Sequence, residues 1–285
     1  CSLDEEQIRT IEERLASLRN LEQRRQQILT PIASQEKLTP ELEKAINTAE
    51  KMQALEDLYL PYRPKRRTRA QIARENGLEP LAQLIEEQGK ALLPLEQLAA
   101  MHLDEEQGIV TVEDAWQGAC DIVAENISDS AEVRKLLRKE LWNAGELVSE
   151  LIIDEKEAPE FLQYRDYSEP VRQLPPHRIL AMNRGEDKKA LKINLRCPDE
   201  KLIAKVAQKL NLKEQSPFYT YYHNALTDSY KRLLLPSLER ELRNELTEKA
   251  EKQAISVFAA NLRQLLLTQP ISGHTVLGLD PGYRT

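Results

Sequence analysis

Apolar residues in this chain recur at steps of three, four and seven. Between Asp4 and Leu29 they fall at Ile8, Ile11, Leu15, Leu18, Leu21 and Ile28, with Glu, Gln and Arg at most positions between. That spacing places one apolar face on a helix. After Thr39-Pro40, a cap residue followed by proline at the first helical position, Leu42, Ala45, Ile46, Ala49, Met52 and Leu55 continue the pattern in a second helix. Two antiparallel helices are the expected packing. A longer helix is expected from Pro236 to Leu267, with Leu238, Leu242, Leu246, Ile255, Phe258, Leu262 and Leu265 facing inward. With only 9 glycines in 285 residues there is little material for turns, so the chain should be mostly helix.

Between these stretches the pattern shortens. Gln71 to Glu75 and Pro80 to Glu87 read as two short helices hinged at Gly77, and a plain helical hairpin explains them better than a DNA-reading helix-turn-helix. Glu113 to Glu125 and Ala131 to Leu141 form a further pair. Ser128, Asp129 and Ser130 supply caps between them, and Trp116, Ile122, Ile127, Val133, Leu137 and Trp142 form its core. From Glu157 to Leu195 four prolines rule out a long helix. There Ile179 to Met182 and Leu191, Ile193, Leu195 flank RGEDKK, which predicts a β-hairpin at about 178–196. Helices resume at Asp199 to Leu210 and after Ser216-Pro217. The expected architecture is a mainly α, multi-subdomain helical scaffold with a small β-ribbon, divided as 1–150, 151–272 and 273–285.

The formal charge of -7, with a pI near 5.4, excludes a basic footprint spread over the whole surface. Any nucleic-acid contact must be local. Cys1, Cys120 and Cys197 form no CxxC pair, so no zinc site or disulfide framework is signalled, and Cys120 reads as a small buried hydrophobe. A charged fraction of 31% and a mean hydropathy of -0.56 suit an aqueous compartment. No apolar run approaches bilayer length, so no membrane partner and a cytoplasmic location are expected. The start at Cys1 without an initiator methionine reads as a piece of a longer protein rather than as a lipidated first residue. Phosphate-binding glycine loops, HExxH and GxSxG are absent, and His102, His177, His223 and His274 stand alone. No cofactor, no metal and no catalysis are expected of this chain.

Two segments carry chemistry. In PYRPKRRTR, Arg63, Lys65, Arg66, Arg67 and Arg69 place five cations in seven residues beside Tyr59 and Tyr62. Cations neutralise phosphates and tyrosine rings stack on bases, so this is the candidate nucleic-acid site; the competing reading pairs the arginines with acidic helix faces. At the chain end Val276, Leu277 and Leu279 form a short strand-like run that finishes at Asp280 before Pro281-Gly282. A carboxylate there is where an RNase H-like fold keeps the first ligand of a two-metal site, and an Asx turn explains the same residues without metal.

Read together, ALEDLYLPYRPKRRTRAQIARENGLEPLAQLI, FLQYRDYSEP, PPHRILAMNRGEDKKALKINL, AISVFAANLRQLLL and VLGLDPGYRT resemble, in order, segments of the Tex family of bacterial transcription accessory proteins. The resemblance covers nearly the whole chain. It implies a helical N-terminal region at 1–150, a central helical region at 151–272, and at 273–285 the first strand of a YqgF-type RNase H-like domain, with Asp280 aligned to its first carboxylate. It further implies a cytoplasmic, non-enzymatic factor that binds RNA or DNA and works with RNA polymerase or associated factors. The alternatives are an RNase H-like nuclease or resolvase in the whole protein, and a helical adaptor that touches only proteins.

Overall fold

The structure is a computed structural model that describes residues 4–64, 67–269, 272–275 and 277–279. Its described elements run α1 (Glu5–Ser34), α2 (Pro40–Thr48), α3 (Met52–Tyr59), α4 (Arg69–Glu75), α5 (Glu79–Glu87), α6 (Leu95–Ala100), α7 (Val112–Asp129), α8 (Ala131–Ala144), β1 (Glu146–Leu151), β2 (Asp166–Pro170), α9 (Pro176–Asp187), β3 (Leu191–Arg196), α10 (Asp199–Lys209), α11 (Tyr219–Asp228) and α12 (Leu235–Leu266). A mainly helical chain with one small sheet is the result, as expected.

The caps explain most helix starts. Thr39 accepts from the Leu42 amide and Thr68 from the Gln71 amide. Thr111 and Asp114 form a reciprocal capping box at α7, and Ser130 caps α8. Gly77 turns the chain between α4 and α5 at φ +75, a conformation that penalises any Cβ. Between α11 and α12 the helix widens into a π-helical turn, Ser229–Leu234. Pro236 lacks an amide proton and its ring crowds the Arg232 carbonyl, so a wider turn just ahead of it relieves the clash.

The chain divides into two compact units. The first comprises residues 1–148, 168–172 and 194–242. Its helix α7 is buried along Ala115, Ala119, Ile122, Val123 and Ile127, and α4, α5, α6 and α11 surround it. Gly118 of α7 faces Leu78: a Cβ there would lie 2.3 Å from the Leu78 Cδ1, so the absent side chain sets how closely that neighbour packs. Leu21, Ile28 and Ile32 of α1 form a second cluster with Ile46, Ala49, Leu55 and Tyr59. The second unit comprises 149–167, 173–193 and 243–285. Phe161, Tyr164, Ile179, Met182, Leu191 and Ile193 are buried in it, together with Leu246 and Ala250 of α12. The strands are ordered β2-β1-β3. Antiparallel pairing follows from Val171 donating to the Gly145 carbonyl at 2.9 Å and Ile152 to the Ala190 carbonyl at 2.9 Å.

Four expectations are corrected. Ile179 to Met182 is not a strand: it lies on α9, whose first residue is Pro176, and β3 pairs with β1 instead. The second helix is broken at Ala49, whose backbone is extended, into α2 and α3. The inward stripe of the last helix holds for Leu238, Leu242 and Leu246 but fails beyond, where Ile255 and Phe258 are each 67% exposed. The first half of α1 behaves alike, with Ile8, Ile11, Leu15 and Leu18 exposed. Periodicity reports that a helix has an apolar face, and it is silent on what covers that face. Leu277 and Leu279 are exposed, and Val276 and Asp280, with the rest of the expected strand's surroundings at 281–285, lie outside the described residues.

Candidate nucleic-acid interface

The basic loop leaves a firmly held helix. Two neighbouring acids of α3 meet different helices and both are paired. Glu56 meets Arg24 of α1, with its Oε1 2.6 Å from the Arg24 Nε. Asp57 is buried, and its carboxylate lies 3.2 Å from the Arg134 Nε and 3.0 Å from the Arg138 Nη1, both on α8. Arg134 also donates to the Ser237 hydroxyl at 3.1 Å, and Arg138 bonds Glu241, so α3, α8 and the start of α12 share one ionic cluster. A buried cluster of this kind is costly to break because any orphaned member stays desolvated.

Tyr59, the last residue of α3, closes the cluster around Ile28 and Ile32 and is 9% exposed, with the Arg24 guanidinium 5.6 Å from its ring centroid. This corrects one expectation: the Tyr59 ring is a core element and is not available to stack on a base. Tyr62 follows in a 3-10 turn, Leu60–Tyr62, half-buried against the same cluster, and its carbonyl accepts from the Gln35 side chain at 3.0 Å. The two tyrosines tether the loop's first half.

Past Tyr62 the chain comes to the surface. Arg63 is exposed and its backbone is extended, φ -68 and ψ 132. Lys65 and Arg66 lie outside the described residues. Arg67 is exposed and its Nη2 sits 3.2 Å from Glu75, a solvent-facing pair that contributes little. Arg69 opens α4 and is exposed. Among the described residues no carboxylate lies within ion-pair distance of Arg63 or Arg69. The Arg69 charge nevertheless reaches α7: burial pushes the Asp121 carboxyl up from its ordinary range, and Arg232 and Arg69 pull it back. Further along α4 the pattern reverses, because Arg74 is tied to Glu125 at 2.6 Å, Asn126 at 2.8 Å and Glu79 at 3.1 Å. The acidic-helix reading of the arginines therefore fits Arg74 fully, Arg67 and Arg69 in part, and Arg63 not at all.

Among the described residues no group of His, Cys, Asp and Glu could hold a metal ion, and no helix is long and apolar enough to cross a membrane. The buried partners of Asp57 escaped sequence reasoning, since nothing in LEDLY distinguishes a surface acid from a buried one. Tyr59 carried a usable signal: it stands four residues after Leu55, on the same helix face.

Comparison with known proteins adds the family. Residues 91–258 match the family model described as Tex central region-like. The chain is 43% identical to the protein named Protein tex of Bordetella pertussis, across 99% of this chain and 37% of that protein. It is 41% identical to Transcriptional accessory protein Tex of Neisseria gonorrhoeae, across 99% and 38%, and 32% identical to the human S1 RNA-binding domain-containing protein 1, across 99% and 29%. It thus spans about two fifths or less of these relatives' length. With well over half of its residues inside the matched region, the chain belongs to the Tex central region-like family.

Proposed function

We propose that this chain is a nucleic-acid-binding part of a transcription accessory factor, that it contacts phosphates through the loop between Tyr62 and Ala70, and that its role is binding without catalysis. The observation that carries this reading is the pair of exposed arginines, Arg63 and Arg69, which form no ion pair among the described residues of a chain of net charge -7. In a protein with so many acids, arginines free of ion pairs among the described residues at either end of one loop suit an external anion. The tyrosines serve to hold that loop, so contact is ionic and weakly sequence-dependent. Relatives named for transcription and for RNA binding support the same direction. Association with RNA polymerase or its factors, and a cytoplasmic setting, follow as parts of the proposal.

Fluorescence anisotropy with a labelled single-stranded RNA at low salt tests it. The chain should bind, and a variant with Arg63, Lys65, Arg66, Arg67 and Arg69 changed to Ala should lose binding while keeping its circular dichroism. Equal affinity of the two proteins would refute the assignment. A protein-only adaptor is the second reading, favoured by the exposed apolar turns around Phe258 of α12; it is supported if neither RNA nor DNA is bound at any salt.

A further inference from the structure

Away from the basic loop, the first unit holds a cavity of about 400 Å³ between α7 and α11, of the size that takes a side chain or small ligand. Glu113, Trp116, Cys120, Tyr221, Asn224 and Asp228 line it. Trp116 and Tyr221 are stacked with ring centroids 4.5 Å apart. Trp116 is 2% exposed, and its indole Nε1 finds no acceptor.

The charge around the cavity has one sign. Its lining includes two carboxylates and no cation. Asp228 is engaged by Arg232, which also reaches Asp121 at 3.4 Å, but Glu113 is exposed and has no ion pair among the described residues. The start of α7 supplies about half a positive charge nearby, which the Thr111-Asp114 box already occupies. The balance stays negative. Two neighbouring groups register it: the Tyr221 hydroxyl is pushed up by burial, with Glu113 and Glu96 adding to the shift, and the Cys120 thiol is pushed up to about 12 by burial and then by Asp121 and Asp228.

Aromatic rings beside unpaired carboxylate are the chemistry that recognises an organic cation. We propose that this cavity anchors a cationic side chain, arginine or lysine, of a partner polypeptide, with Glu113 as the ion-pairing residue. The site lies on α7 and α11 and would operate independently of nucleic-acid binding by the loop.

Trp116 reports on the site directly, because the chain has 2 tryptophans and Trp142→Phe leaves it as the sole indole. N-acetyl-argininamide is titrated against the whole chain in that background, beside free arginine and N-acetyl-citrullinamide, the neutral isostere. The capped arginine should change Trp116 fluorescence saturably. Citrulline should bind at least several-fold more weakly, and Glu113→Gln, a change at an exposed side chain, should weaken the arginine derivative by about three- to five-fold, the range of a single exposed charge contact. Equal binding of citrulline, an unchanged Glu113→Gln titration, or no saturable response would overturn the proposal. Free arginine binding as well as the capped form would overturn the polypeptide partner in favour of a free small cation.

Discussion

Replacing Asp57 by Asn removes one charge from the ionic cluster that holds the helix preceding the basic loop, while preserving side-chain shape. The Asp57 side chain is 6% exposed and that of Arg134 is 9%, so neither partner can recover water when the other is lost. Breaking a buried pair from one side costs about 3–5 kcal/mol. Glu241 remains to hold Arg138, and lies 3.7 Å from the Arg134 Nη2, which places this case at the lower end, about 3 kcal/mol. For a body of this size that corresponds to a Tm lowered by about 6–12 °C. Urea and thermal unfolding followed by circular dichroism measure it. Arg67→Ala is the control, since that side chain is 71% exposed in its pair with Glu75 and should shift stability by no more than about 0.5 kcal/mol. A loss below about 1 kcal/mol for Asp57→Asn would refute the claim that the cluster anchors α3.

Gly118→Ala should cost about 1–3 kcal/mol by denaturant melt, because the new methyl collides with the fully packed Leu78; a neutral result would show that Leu78 yields freely. Phe258→Glu should leave stability within about 0.5 kcal/mol, since the ring is exposed on α12, and a large loss would restore the inward stripe read from the sequence. Burial pushes the Cys120 thiol up to about 12 and the Cys197 thiol up to about 11. In the unfolded chain both ionise near pH 8.5, so their contribution is fully present below that pH and is lost as pH rises toward the folded values. Stability should therefore fall between about pH 9 and 11, and less steeply for Cys120→Ala, a slope that chemical denaturation across pH measures.

What could be read in advance, and what could not, separates along physical lines. Caps are local: Thr39-Pro40 and Ser130 announced their helices through contacts within three residues, whereas Thr68 and Thr111 with Asp114, caps of the same local kind, went unread. The Ile179 to Met182 run was misassigned although Pro175-Pro176 offered a helix start, and Ile179 and Met182 stand three apart on one face. Strand β2, DYSEP, carries almost no apolar alternation and exists because β1 lies beside it. For the candidate site, the cluster of cations was plain in PYRPKRRTR, whereas the division of labour within it was not. Tyr59 belongs to the core, Arg67 has an acid within ion-pair distance, and among the described residues Arg63 and Arg69 have none, and all three facts depend on residues distant in sequence or on which way a helix face turns.

The central claim is that Arg63 and Arg69 meet phosphates. It is tested most directly by the salt dependence of nucleic-acid affinity for the unmodified chain and for the double variant Arg63→Ala, Arg69→Ala. Each phosphate contact adds about 0.7–0.9 to the slope of log affinity against log salt, so two lost contacts should flatten that slope by about 1.5. Parallel lines, with the double variant binding as tightly as the unmodified chain at every salt concentration, would contradict the account.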